Sequence, residues 1–494
     1  MAWTSVSRRL LSICCVIVCL FLGVGISIAT SIAAIALSIA AFLSMPAPHD
    51  PRLTVQDRCL MNQDRLVAGA TPGSGTMAIV MYFKTMPSVS AARATMRSVA
   101  RRYPRFASIV VETNSLDEAR WHRLGSDREL DLKRHIVEHG PSSSAAAQAA
   151  QVDELINTDL PRDVPLWRID LLPTSDASGT GCVLLRASHA LGDGFRLIGT
   201  AGDWLQFADG SPATLELIER MSKAKREVCP RGVVDLARDL VEAVSVDKVR
   251  DEDPTCLHSP GTLFPRHAAR ANVCASVRLA DVLAIRAASP AGTTVNDVVV
   301  ACLAGGLRRY AAVVGAPLYG APLVRALCAV SLPRQPSRAD DELYNDFFLP
   351  SIELPVGAAS HAARLEAARR VMAHAKASRS GAIQSRLSWL LCRLGLDALI
   401  GQAQLGMFAK HAFVFSNLPG FTMPVHLFEA RAKVERFAVY FPNLISQLFF
   451  LSYDGELTCC LSTDPATITQ PQALVDCFAA EVAAEALEAA RTRK

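Results

Sequence analysis

The run Ser188, His189, Ala190, Leu191, Gly192, Asp193, Gly194 combines residue types and spacing that can do chemistry. Its histidine stands four positions before an Asp-Gly pair, directly after the apolar, β-prone run Cys182, Val183, Leu184, Leu185. It therefore falls where a buried strand ends and a glycine-rich turn begins. A neutral hydroxyl is a weak nucleophile. An imidazole that titrates near neutral pH can remove its proton as it attacks an acyl carbon, so His189 is the candidate general base. An ordinary carboxylate is too weak a base for that step, which leaves Asp193 two other roles. It can accept the second ring N–H of His189, as in a Ser-His-Asp system. It can instead pair with an arginine and fix the loop. An Asp followed by Gly shapes turns, which favours the arginine pair. Gly192 and Gly194 are expected to take backbone angles that a side chain forbids and to leave room for substrate.

Other chemistries find less support. There is no GxSxG elbow for a serine esterase and no glycine-rich loop ending in Gly-Lys for a phosphate. His135 and His139 are four apart, but a metal needs at least a third ligand and none is nearby, so both read as surface or packing residues. No metal is expected. The 14 cysteines are scattered without a CxxC pair. Several sit in apolar runs (Cys14, Cys15, Cys19, Cys302, Cys328, Cys392), as small buried hydrophobes do in a reducing compartment. A net charge of +4, with no basic block interleaved with aromatics, argues against a nucleic-acid partner.

The elements that must position His189 follow from hydrophobic patterning. With 494 residues, half of them apolar, the chain is long enough for two or three full cores. No charged residue occurs from Leu10 to Met45. As one helix this stretch would measure roughly 54 Å against about 30 Å of hydrocarbon. It reads as a membrane span, or as a hairpin bent at Gly23-Val24-Gly25; it is too long for the apolar region of a signal peptide. Arg8 and Arg9 favour a cytosolic N-terminus. A single span would put the body in the lumen, and a hairpin would keep it cytosolic.

The body is expected to divide into an anchor at 1–50, a first half at 51–253 carrying the histidine motif, and a second half at 254–494. Strands are expected at Ala78–Lys84, Leu166–Leu172 and Gly181–Ala187, with helices at Ser90–Tyr103 and Phe195–Leu205 and a loop at Pro141–Ala150. In the second half, Cys274–Leu279 and Arg325–Leu332 read as strands. Thr294 and Asp297 fit a capping box before a Val- and Ala-rich helix. His361–Lys410 reads as mostly helical. Asp454-Gly455 joins two strands in a hairpin, and Leu474–Ala490 closes the chain as a helix. Strands and helices alternate without regular βαβ spacing, so the fold class is α+β rather than a doubly wound sheet.

The chain resembles the wax ester synthase/diacylglycerol acyltransferase family from about Thr76 to its C-terminus. The resemblance rests on an ordered set. It contains Tyr103 to Phe106, Asp131 to Val137, Pro165-Leu166-Trp167 and the His189 motif. Asn296 to Ala301, Ser331 to Arg334, Asn345, Ser416 to Gly420 and Ser452 to Gly455 follow. Plant alcohol acyltransferases and peptide-synthetase condensation domains share HxxxDG, but the former carry a DFGWG motif that is absent here. The latter lack the NDVVVA and SNLPG runs. The family reads HHxxxDG, and here its first position is Ser188, which touches the fine positioning of the base.

The resemblance implies two chloramphenicol-acetyltransferase-like halves with a central channel, and His189 at its midpoint. Acyl-CoA would enter from one side and a lipid alcohol from the other, with direct transfer and no cofactor. The acceptor would be a long-chain alcohol or diacylglycerol, and the body would face the cytosol at the endoplasmic reticulum membrane. Site residues carried over are His189 and Asp193, with Gly194, Pro165, Leu166, Trp167, Asn296, Asp297, Ser416 and Asn417 at the substrates. Plain alternatives stand beside them. Asn296 and Asp297 also fit a helix N-cap, Trp167 fits ordinary core as well as a tunnel wall, and Asn417 fits a structural turn. The stripe Leu390, Leu391, Leu394, Leu396, Leu399 fits core, tunnel or bilayer contact. The rival from another class is a catalytically silent lipid-binding protein; the intact His189 to Gly194 run argues against it.

Overall fold

The computed structural model describes residues 75–492 apart from 112–119, 126–129, 176–179, 214–232, 246–251, 265–268, 319, 321, 332–342 and 394–395. The expected anchor at 1–50, with its apolar stretch from Leu10 to Met45, lies outside the described residues. So do Leu332 to Arg334. Among the described residues no helix is long and apolar enough to cross a membrane.

Two sheets organise the fold. In chain order their strands are β1 (Thr76–Phe83), β2 (Ile136–Glu138), β3 (Trp167–Pro173), β4 (Gly181–Ser188), β5 (Ala271–Arg278) and β6 (Arg325–Cys328). Then come β7 (Ser351–Glu353), β8 (Phe413–Leu418), β9 (Val434–Tyr440), β10 (Ser446–Tyr453) and β11 (Glu456–Thr463). The first sheet runs β9-β1-β4-β3-β2 and the second β7-β6-β8-β10-β11-β5. Both are mixed: β2 lies parallel to β3, and β8 lies parallel to β6 and β10, while the other neighbours are antiparallel. With helices packed on them, the architecture is α+β. The strand β9 comes from late in the chain yet completes the first sheet.

Local sequence explains the elements around the histidine. β4 is central in its sheet, so its apolar run is buried on both faces, and Cys182, Val183 and Leu184 are fully buried. The helix α1 (Val89–Arg102) starts at Ser88, whose hydroxyl accepts the Ala91 N–H. It buries Ala92, Met96, Val99 and Ala100 at helical spacing and ends on Arg101 and Arg102. Asp454 and Gly455 both take positive φ, 45° and 80°, the turn that suits the twist of the β10–β11 hairpin.

Two expectations change. The segment read as a loop at 141–150 is largely helix α2 (Ala145–Ile156), because Ser144 caps it on Ala147 and alanines favour helix. The helix expected at 195–205 is only Gly194–Gly199 followed by a 3₁₀ turn at Ala201–Asp203. The Thr200 hydroxyl, turned back onto the Leu197 carbonyl, marks the break. In the second half, α3 (Leu279–Ala288), α4 (Val295–Val313), α5 (His361–Ala377) and α6 (Pro471–Thr492) cover the sheet. Within α4 every residue from Asp297 to Leu307 is buried.

Candidate active site

His189 stands one residue past the end of β4, in a 3₁₀ turn at His189–Leu191. Five hydrogen bonds fix that turn. The Ser188 hydroxyl accepts the Ala190 N–H at 3.2 Å, so the residue in place of the resembling family's first histidine caps the turn. The Ser188 N–H donates to the Leu166 carbonyl and the His189 N–H to Gly75. Arg105 donates from Nη1 to the carbonyls of Ala190 at 2.7 Å and Leu191 at 3.3 Å, with its guanidinium over the Trp121 ring.

The imidazole meets residues from the far half of the chain. Nδ1 lies 2.9 Å from Asn345 Oδ1, and Asn345 Nδ2 donates to the His189 carbonyl at 2.7 Å. The second bond fixes which amide atom is oxygen, since a flipped amide would set two oxygens against each other. Oδ1 only accepts, so Nδ1 carries the hydrogen and the ring's lone pair is on Nε2. Phe347 and Phe441 pack against the ring at 5.3 and 5.4 Å between centroids. A ring held this way can accept a hydroxyl proton without first reorienting.

Asp193 is 2 % exposed, and its carboxylate is engaged by an arginine. Oδ2 pairs with Arg196 Nη1 at 2.8 Å and accepts the Asp346 N–H at 3.0 Å. Oδ1 accepts the Arg196 N–H at 3.1 Å. Arg196 also donates to the Tyr344 hydroxyl and stacks on that ring. Burial opposes the Arg196 charge, but Asp193 and Tyr344 outweigh it and hold the guanidinium pKa above its ordinary value. Of the two roles open to Asp193 from sequence, this is the loop-fixing one. The same pair ties the histidine motif to residues 344–346.

The backbone at the glycines differs from the special angles expected. Gly192 has φ 166°, extended backbone open to any residue, and Gly194 begins a helix. What Gly194 provides is room: a Cβ there would lie 3.2 Å from Leu418 Cδ1. That contact brings the motif to the end of β8. There Asn417 Nδ2 donates to Asn296 Oδ1 at 2.6 Å, so two residues read separately from sequence form one pair. Ser416, half-buried, lies on the same strand. Gly420, just beyond, is forced by packing: a Cβ would fall 1.8 Å from the Ser452 carbonyl oxygen.

The remaining candidates separate. Asp297 closes a capping box with Thr294, and Lys376 Nζ stands 3.9 Å from its Oδ1, so it serves the helix end. Pro165 and Leu166 lie beside the histidine turn through the Leu166–Ser188 hydrogen bond. Trp167 does not line an accessible wall. It is 1 % exposed, stacks on His135 at 4.3 Å and donates Nε1–H to the Phe106 carbonyl, as a core residue. His135 is buried in that stack, which lowers its pKa, and His139 bonds the buried Asp170. Leu396 and Leu399 of the apolar stripe are exposed. Arg105 and Asn345 stand in the runs that carry the family resemblance, yet their part in the site shows only in the fold. Tyr344, Phe347 and Phe441 join them without any motif in the sequence to mark them.

Comparison with known proteins identifies the family. The wax ester synthase/diacylglycerol acyltransferase catalytic domain matches residues 73–299, and the C-terminal domain of that family matches 345–484. A Mycobacterium bovis protein provisionally named a diacylglycerol O-acyltransferase is 30% identical over 275 residues, 51% of this chain and 52% of that protein. A Mycobacterium tuberculosis protein of the same description matches equally. The chain thus spans about half the length of the curated relatives it matches. Among solved structures, the wax ester synthase/diacylglycerol acyltransferase of Marinobacter aquaeolei VT8 superposes with TM-score 0.59 at 18% identity, over 89% of this chain and 100% of that one. The first condensation domain of the calcium-dependent antibiotic synthetase gives 0.60 at 15%, over 90% and 98%. At these identities the likeness to solved structures is one of fold.

Proposed function

Since the chain belongs to the wax ester synthase/diacylglycerol acyltransferase family, we propose that it is an O-acyltransferase moving a long-chain fatty acyl group from acyl-CoA to a lipid alcohol. The acceptor is a long-chain alcohol, giving a wax ester, or diacylglycerol, giving triacylglycerol. The observation that carries the reading is the Asn345 amide on His189, which leaves the lone pair on Nε2.

In the proposed step the alcohol oxygen attacks the thioester carbon while Nε2 takes the hydroxyl proton. The tetrahedral intermediate collapses, the C–S bond breaks, and the imidazolium returns the proton to the CoA sulfur. No acyl-enzyme and no cofactor enters this scheme. Asp193 and Arg196 act as positioning residues, holding the turn against Tyr344 and Asp346. Asn296 and Asn417 lie beyond Gly194 and Leu418, where they would face the substrates. A channel between the halves is supported by the site's make-up: His189 and Asp193 come from the first half, Asn345, Phe347 and Phe441 from the second.

We also place the body against the cytosolic face of the endoplasmic reticulum membrane. A hairpin bent at Gly23-Val24-Gly25 within the uncharged stretch from Leu10 to Met45, with Arg8 and Arg9 on the cytosolic side, would give this placement, and the need for acyl-CoA supports it.

The test is purified full-length protein with labelled acyl-CoA and a mixture of hexadecanol and diacylglycerol. Wild type should form labelled ester, and His189→Ala should form none while keeping the parent's melting temperature. Ester formation at the parental rate by His189→Ala would overturn the assignment.

A further inference from the structure

Away from His189, a cluster of thiols and phenols occupies the seam where β9 of the first sheet meets β5 and β11 of the second. Cys274 on β5 stands directly opposite Cys460 on β11 in antiparallel register. Opposed residues project to the same face of a sheet. Cys460 points into the seam with Tyr440 and Phe449, whereas its neighbour Cys459 joins the other core. Cys274 is half-buried, Cys460 is 1 % exposed, and the Cys460 sulfur accepts the Val439 N–H at 3.3 Å. Arg436 Nη1 lies 3.8 Å from the Cys274 sulfur, with its guanidinium 4.1 Å above the Tyr82 ring. Tyr82 in turn pairs with Cys182 on β4. The ionisable groups facing Cys274 are thus Tyr82 from β1, Cys182 from β4, Arg436 and Tyr440 from β9, and Cys460 from β11.

We propose that Cys274 and Cys460 form a redox dithiol that a hydroperoxide converts to a disulfide, with Cys274 as the attacking sulfur. The register suits the bond. Opposed antiparallel residues have Cα atoms about 4.5–5.5 Å apart, inside the roughly 4.4–6.8 Å that a disulfide spans. The environment also favours the attacking form. Hydrogen bonds from Cys460 and Tyr440, together with the Arg436 charge, pull the Cys274 thiol down to about 6 against the opposing effect of burial. Burial pushes the Cys460 thiol up, so it waits as a protonated partner.

The steps balance. The Cys274 thiolate attacks the terminal peroxide oxygen and the O–O bond breaks. The remaining oxygen leaves as alkoxide, or as hydroxide when the oxidant is hydrogen peroxide, and takes from solvent the proton that Cys274 shed on ionising, ending as alcohol or water. A sulfenic acid is left on Cys274. The Cys460 sulfur then attacks the Cys274 sulfur, the S–O bond breaks, and the departing hydroxide takes the Cys460 proton as water. Two electrons pass from the two thiols to the peroxide. The product staples β5 to β11 and removes the thiolate that Arg436 and Tyr440 contact from β9.

The test treats full-length protein with stoichiometric hydrogen peroxide at neutral pH, alkylates the remaining thiols and maps them by mass spectrometry. The expected product is one Cys274–Cys460 cross-linked peptide pair, lighter by two hydrogens. Cys460→Ser should stop at a sulfenic acid on Cys274, trapped by dimedone. A second measurement needs no variant. Iodoacetamide labelling of Cys274 should reach half its limiting rate near pH 6. The half-buried Cys256 and Cys477, whose thiols burial pushes up, should label only at much higher pH. Arg436→Met should move the Cys274 midpoint upward. The proposal is overturned if Cys274 labels with the pH profile of Cys256 and Cys477. It is also overturned if peroxide oxidises those two and leaves the Cys274–Cys460 pair as thiols.

Discussion

Replacing Asn345 by alanine tests the reasoning about the base more sharply than replacing the base itself. The substitution deletes the 2.9 Å contact to Nδ1 and the 2.7 Å bond to the His189 carbonyl, and leaves the imidazole in place. Each neutral hydrogen bond is worth about 1 kcal/mol net, so the orienting contribution is about 2 kcal/mol. If all of it serves to hold Nε2 toward the alcohol, kcat falls ~30-fold. If half does, the fall is ~5-fold. KM should change less than about twofold, because the amide touches the base and not the substrate. The assay is release of CoA thiol from palmitoyl-CoA at saturating hexadecanol, followed by the pH dependence of kcat/KM. Asn345→Asp adds a second signature. A carboxylate beside Nδ1 favours the imidazolium, so the acid limb of the profile should move to higher pH. Were Asn345→Ala to keep kcat within twofold while His189→Ala is inactive, the amide would not set the tautomer that matters.

Three further outcomes follow from packing and burial. Asp193→Ala leaves Arg196, itself 8 % exposed, without its carboxylate. Stability should fall by about 3–5 kcal/mol and the melting temperature by roughly 10 °C in a thermal scan; an unchanged melting temperature would remove the loop-fixing role of Asp193. Glu252 is buried while accepting the N–H groups of Arg325 and Ala412, and burial raises its carboxyl from the usual range to about 8. The folded state therefore holds a proton that the unfolded state releases, and stability should decline as pH rises from about 4.5 to about 8. Denaturant titrations of Glu252→Gln, which keeps an acceptor oxygen, should flatten that slope; an equal slope in both proteins would contradict it. Gly420→Ala drives a methyl group onto the Ser452 carbonyl and should cut soluble yield and melting temperature sharply, whereas Gly199→Ala, with open space at its Cβ, should leave both near the parent.

Much of the scaffold is legible wherever one local rule dominates. The four apolar residues ending at Leu185 mark a strand buried on both faces, and β4 is that strand. Thr294 with Asp297 marks a helix start, and both capping bonds are present. Asp454-Gly455 marks a hairpin, and both residues take the required φ. Legibility ends where an interaction joins distant parts of the chain. Asn345 meets His189 across 156 positions, and nothing in either neighbourhood encodes the meeting. Asn296 and Asn417 could each satisfy a local cap or turn, and only the packed fold shows them bonded to one another. Trp167 illustrates a different limit. An apolar ring serves a core and a tunnel wall equally well, and its stacking on His135 becomes visible only when β3 is laid beside the helical turn at Leu132–His135. Gly192 and Gly194 show a third: a glycine in sequence points to backbone freedom and to open space alike, and only the fold shows that Gly192 is extended while a Cβ at Gly194 would sit tightly, 3.2 Å from Leu418 Cδ1.

The placement of β9 bears on any attempt to dissect the chain. Residues 434–440 pair with β1 along nearly its whole length. A fragment ending at the crossover near residue 253 would lose that cover and present the backbone of 76–83 as an open, apolar ribbon edge. Such an edge recruits other chains, so the isolated first part should precipitate where the intact chain stays dispersed. Supplying residues 254–494 in trans, as a separately made polypeptide, would return the missing edge strand and should restore solubility.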